Sequence, residues 1–194
     1  MTKPNSKKTP PAIDLRDFKA VGSLLADHAR KHYGVCASFC LRRNRPKGSI
    51  TLTVVTDDGK HELSIGVHRI TKAIQATLGD PDDAVEHGAY GLALLAIAHV
   101  MGMRFVKRSF KGPGFDFYIN PPTTKASDPD DIFADSWGFE VTGIMEGGAA
   151  AVRSRLKRKR DQVAEAADIL PILIAVVEFS HPITVLELQP AKVA

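Results

Sequence analysis

Behind Pro171, residues 172–179 read Ile-Leu-Ile-Ala-Val-Val-Glu-Phe. A run this short and this rich in β-branched residues is a strand, and with no polar alternation over 172–177 it must be buried on both faces. The rest of the chain must therefore supply cover for the two sides of a mixed sheet. A last, shorter strand is expected over residues 183–188.

The cover begins at Asp80-Pro81-Asp82-Asp83. Asp80 suits an N-cap, Pro81 the first helical position, and the two following acids the positive end of the helix dipole. The helix should run to Met101 and stop at Gly102, and its middle, residues 89–98, is apolar all round. Such a helix is central and buried. Strands are expected over 103–110 and 115–120, joined by Lys111-Gly112-Pro113-Gly114, and a third over 137–144, with Trp137 anchoring its start. Residues 121–135 form a long acidic loop. Gly147-Gly148 ends the third strand, and a helix follows over 149–167 with Val152, Leu156, Val163 and Ala167 on one stripe.

Upstream, residues 13–32 carry apolar positions at helical spacing, Gly34 fits a stop, and 35–41 read as a strand. Residues 50–56 and 61–67 form a hairpin around Asp58-Gly59. Ile70, Ile74 and Leu78 mark a short amphipathic helix. The 194 residues thus divide into a basic disordered tail (1–12), an N-terminal α/β segment (13–79) and a core (80–190). The fold class is α/β.

Two cysteines, Cys36 and Cys40, make neither a disulfide framework nor a zinc or redox motif, and core packing accounts for both. The tail lacks the apolar centre of a signal peptide, and the 89–98 run is too short to span a bilayer. A cytoplasmic protein without a membrane partner is expected. The net charge of +4 favours a polyanionic partner.

Two acids interrupt this apolar pattern. Asp116 lies one residue into the strand after the Gly-Pro-Gly turn, and Glu140 sits between Phe139 and Val141 on the next strand. Buried carboxylates on adjacent strands are costly unless compensated. An Arg partner or an exposed edge explains either acid alone, whereas the pair in this order points to a hard divalent cation.

The order αβββαβ over residues 80–188 is carried by Pro113-Gly114-Phe115-Asp116 opening the second strand and Glu140-Val141-Thr142 on the third. It resembles the PD-(D/E)xK, or restriction-endonuclease-like, superfamily. The resemblance implies that Asp116 and Glu140 bind Mg²⁺ or Mn²⁺, and that Glu86 on the first core helix joins them. It also implies a Lys two residues after the Glu, where this chain has Thr142. A hydroxyl cannot supply the positive charge that activates water and stabilises the transition state. Lys111, or Arg153 and Lys157 on the following helix, are the expected replacements. The same substitution also fits a member that does not cleave.

Residues 153–160 hold six bases, Arg153, Arg155, Lys157, Arg158, Lys159 and Arg160. A solvated helix face usually mixes signs, so this density points to phosphate contacts, with Lys107 and Arg108 extending the patch. His99 reads as a satisfied core histidine, and no Walker, Rossmann, nucleophile-elbow or zinc-protease motif is present. The expectation is a metal-dependent nuclease-like protein that cleaves or binds DNA, rather than RNA, in DNA processing or antiphage defence. The alternative is a nuclease-fold subunit without activity, serving as an adaptor or DNA-binding module. The N-terminal segment would provide substrate contact, homodimerisation or a partner-protein surface.

Overall fold

The computed structural model describes residues 11–45, 47–110, 112, 114–122 and 135–192. The expected tail (apart from residues 11 and 12), most of the 121–135 loop and Lys111 lie outside the described residues. In chain order the elements are β1 (Ala12–Asp14), α1 (Asp27–Asn44), β2 (Ile50–Thr56), β3 (Gly59–Gly66), α2 (Lys72–Thr77), α3 (Pro81–Ala96), β4 (Arg104–Arg108), β5 (Phe117–Asn120), β6 (Trp137–Ile144), α4 (Gly148–Val163), β7 (Ile172–Glu178) and β8 (Ile183–Gln189).

All eight strands form one mixed sheet in the order β1-β3-β2-β8-β7-β6-β5-β4. β7 lies inside it, every residue buried, parallel to β6 and antiparallel to β8. Its Leu173, Ala175 and Val177 face the core shared with α1 and α3, whereas Ile172, Ile174 and Val176 face α4. The apolar run is continuous because both faces are covered. Each of the Leu, Ile and Val side chains among them contributes roughly 1.5–3 kcal/mol by leaving water. The N-terminal hairpin joins the same sheet through parallel pairing of β2 with β8.

The α3 start is as expected. Asp80 accepts from the Asp82 N–H at 2.8 Å, Pro81 is the first helical residue, and Gly102 takes a left-handed conformation with φ of 68°. A π-helical turn (Ile97–Met101) closes the helix. The segment Pro81–Met101 is long and apolar enough by length and composition to cross a membrane, yet it lies inside the fold between α1 and the sheet.

The N-terminal reading is corrected. Residues 13–32 are not one helix, and 35–41 are not a strand. Ala12–Asp14 form an edge strand, Lys19–Val21 a 3₁₀ turn, and α1 runs unbroken through Gly34 to Asn44. Gly34 is in α1 because the chain passes tightly over it: an added Cβ would lie 2.0 Å from the Leu15 carbonyl oxygen. The cysteines are core residues four apart on this helix, not on a strand. Burial pushes the Cys36 thiol up to about 11 and the Cys40 thiol up to about 12, so neither is a nucleophile near neutral pH. His99, expected in the core, is exposed in the π turn.

Candidate active site

β5 and β6 pair only from Phe117↔Phe139 to Ile119↔Trp137. Among the described residues, β6 continues beyond Phe139 alongside β7 alone, and its Val141 N–H is turned to an edge that no described strand covers. Asp116, expected inside the strand, occupies the residue before β5 and fills that gap. Its N–H donates to Phe139 O at 3.0 Å, and its Oδ2 accepts from Val141 N at 2.9 Å. The side chain thereby caps the edge of the strand that carries Glu140. The two acids meet where the hairpin opens.

Two helices converge on this opening from opposite faces of the sheet. From α3, the Tyr90 hydroxyl stands 2.8 Å from Glu86 Oε1 and 2.9 Å from Asp116 Oδ1. One proton lies between two carboxylates, a deficit that a cation or a further proton relieves. The approach of α3 depends on Gly143 of β6, where an added Cβ would lie 2.6 Å from the Val85 carbonyl oxygen. From α4, Lys159 Nζ forms an ion pair with Glu140 Oε1, and its neighbour Gln162 donates to the same oxygen at 3.1 Å and to Gly114 O at 3.1 Å. Arg155, one turn earlier, donates from Nη1 to Thr142 Oγ1 at 2.9 Å.

Electrostatically the acids are undercompensated. Burial raises the Asp116 carboxyl above the ordinary range despite the Val141 and Tyr90 hydrogen bonds. Glu140, with a side chain 4% exposed, is raised to about 7, by burial first and then by Asp116, against the opposing pull of Lys159. Burial also drives the Tyr90 phenol well above its usual value, with Asp116 and Glu86 adding to the shift. Among the described residues Glu140 Oε2 carries no hydrogen bond. These groups line a cleft of about 750 Å³, with Arg108 and Phe110 also on its wall.

No family model, no curated protein and no solved structure matches the chain.

The sequence-predicted residues therefore separate. Asp116, Glu140, Thr142 and Glu86 come together. Arg155 and Lys159, expected only as phosphate contacts, enter the cleft, while Arg153 and Lys157, expected to replace the missing Lys, are exposed. Helical phase decides this. Arg155 and Lys159 are four apart on a half-buried stripe beside Leu156, and Arg153 and Lys157 lie on the exposed face. Arg158 is exposed, and Arg160 is tied to Glu187, with Nη2 to Oε2 at 2.6 Å. Arg108 stacks its guanidinium 5.6 Å from the Tyr90 ring centroid, and Lys107 is exposed on β4. Tyr90 and Gln162 were not singled out from sequence. The i,i+4 spacing of Tyr90 from Glu86 and the i,i+3 spacing of Gln162 from Lys159 are the signals that point to them.

Among the described residues no group of three or more His, Cys, Asp or Glu side chains is set to hold a metal ion. The donor chemistry nevertheless suits a hard cation. The half-buried Asp116 raises the proton affinity of the buried Glu140, Glu86 raises that of Asp116, and Glu140 Oε2 is left without a hydrogen bond among the described residues. Mg²⁺, which keeps several waters, needs only one or two protein carboxylates.

Proposed function

We propose that this chain is a divalent-cation-dependent, nuclease-like protein acting on DNA phosphodiesters in the cytoplasm, in DNA processing or antiphage defence. The reading is carried by one observation: Asp116 and Glu140 share a cleft with Lys159 at the point where the hairpin parts. The order α3-β4-β5-β6-α4-β7, with an antiparallel β4-β5-β6 meander and β7 parallel to β6, supports a restriction-endonuclease-like core over residues 80–188.

Asp116 and Glu140 would hold Mg²⁺ or Mn²⁺, with Glu86 acting through water. The ion would supply a water more acidic than bulk and charge neutralisation at the phosphoryl oxygens. The chain's own residues do the rest. Lys159 supplies the positive charge absent at Thr142 from the neighbouring helix, and Arg155 holds the Thr142 hydroxyl in place. Gln162 fixes Glu140 against the Gly114 turn. Arg153, Lys157 and Arg158 lie on the exposed side of α4, where they can meet the DNA backbone.

A second reading, a nuclease-fold adaptor without activity, is favoured by the closure of Glu140 Oε1 by Lys159 and Gln162. Incubation of supercoiled and linear DNA with Mn²⁺ separates the two. Cleavage by the wild type, lost in Asp116→Ala and Glu140→Ala, is the expected result. Salt-sensitive DNA binding without cleavage under any metal would leave the adaptor.

A further inference from the structure

On the other side of the α3 N-terminus lies a second cleft, between the C-terminal half of α1, the segment after β3, and α2. It encloses about 980 Å³. Among the described residues its lining holds Arg42, Arg43, Lys47 and Arg69 and no Asp or Glu. Arg42 builds the wall: its Nη1 donates to Arg45 O at 3.2 Å and Gly48 O at 3.0 Å, folding the loop after α1. Arg43, Lys47 and Arg69 are exposed and make no ion pair among the described residues. Arg16, Arg30, Lys159, Arg160 and Lys192, by contrast, each sit on a carboxylate.

The floor is different in kind. Phe39, Val67, Ile70 and Leu78 are half-buried there, and α2 above them buries no residue of its own. Uncompensated cations around an apolar, aromatic-bearing floor match a ligand with an anionic end and a planar apolar body. A hydrated inorganic anion would leave the floor unused, and a paired duplex would keep its base faces stacked within itself.

We infer that this cleft binds a nucleotide, its phosphate on Arg43, Lys47 and Arg69 and its base against the Phe39 floor, presented either by a single nucleic-acid strand or as a free mononucleotide. The assignment rests on the nuclease-like reading, because Pro81 lines this cleft and Asp82 the catalytic one, so a strand anchored here lies one helix terminus from Asp116 and Glu140. Asp80 and Asp82 stand between the two, which makes the second cleft a separate anchor and not an extension of the first.

The test is fluorescence anisotropy with a labelled oligothymidylate in EDTA, where hydrolysis cannot contribute, on the full chain. Arg43→Ala/Arg69→Ala should weaken binding about tenfold or more and flatten the salt dependence by about 1.4 in slope, two contacts at about 0.7 each on a single strand. Both side chains are exposed, so the thermal melt should not move. Competition by thymidine monophosphate assigns the site to a free nucleotide, and failure to compete assigns it to a strand. Wild-type affinity in the double variant, or no binding by the wild type, overturns the inference. Binding lost in the double variant from a wild type that never cleaves overturns only the nuclease reading. Cleavage by a double variant that still binds as the wild type overturns only the second site.

Discussion

The Tyr90 hydroxyl lies 2.9 Å from Asp116 Oδ1 while also reaching Glu86, so a single phenolic proton serves a half-buried carboxylate and an exposed one. Tyr90→Phe removes the only side-chain donor that Asp116 has among the described residues. The expected cost is about 1–3 kcal/mol, larger at high pH, where the Asp116 carboxylate is ionised, than at low pH, where it is protonated. Urea denaturation at the two pH values measures it. No loss at either would mean that Tyr90 acts only by packing its ring against Phe117. The acid limb of any cleavage profile should also move upward, because Tyr90 is one of the groups holding the Asp116 value down.

Glu140 is raised to about 7 from an ordinary 4.5. The folded chain then binds this proton more tightly than the unfolded chain. Its contribution to stability is full below pH 4.5 and is lost as pH rises toward 7, by up to about 3 kcal/mol. A thermal melt series from pH 5 to 8 should slope downward over that window, and Glu140→Gln should flatten it. Mn²⁺ added at pH 8 should recover stability, by about 2.7 kcal/mol at a hundred times its dissociation constant, and Asp116→Ala should abolish the recovery.

The two stripes of α4 should separate in a mutant series. Lys159→Met removes the cation beside Glu140, pushes that carboxyl still higher and should lower metal-dependent cleavage at saturating DNA by about 100-fold. Arg153→Ala and Lys157→Ala should leave that rate unchanged. Each should instead weaken duplex binding and reduce the salt slope by about 0.9. Swapped phenotypes would place the catalytic cation on the exposed face.

How much of this the sequence carried depended on the reach of each signal. The α3 cap, the hairpin around Asp58-Gly59, β6 and the buried β7 were legible because their determinants are local or periodic. The meeting of Asp116 and Glu140 was legible through strand order. The N-terminal helix was misplaced because Gly34 reads as a stop in isolation, and only the passage of Leu15 over α1 shows why the helix continues through it. The choice of Arg155 and Lys159 over Arg153 and Lys157 was hidden for a related reason. A run of six bases does not show which stripe of the helix packs beside Leu156.

Gly143 ties the fold to the site most directly. Its missing side chain lets α3 lie against β6, and a Cβ there would meet Val85 Cγ1 at 2.5 Å and the Val85 carbonyl oxygen at 2.6 Å. The methyl tip can rotate away, but the backbone oxygen cannot, so Gly143→Ala must push the first turns of α3 outward. Overpacking of this kind costs about 1–3 kcal/mol. The displaced segment carries Glu86, one residue on, and leads to Tyr90. Cleavage should therefore fall by more than the stability loss explains, in a protein that is still folded at the assay temperature. Val85→Ala removes the Cγ1 contact and not the oxygen, so the double variant should regain only part of either loss. Full recovery of cleavage in Gly143→Ala/Val85→Ala would show that the side chain, and not the helix backbone, sets the position of Glu86 and Tyr90.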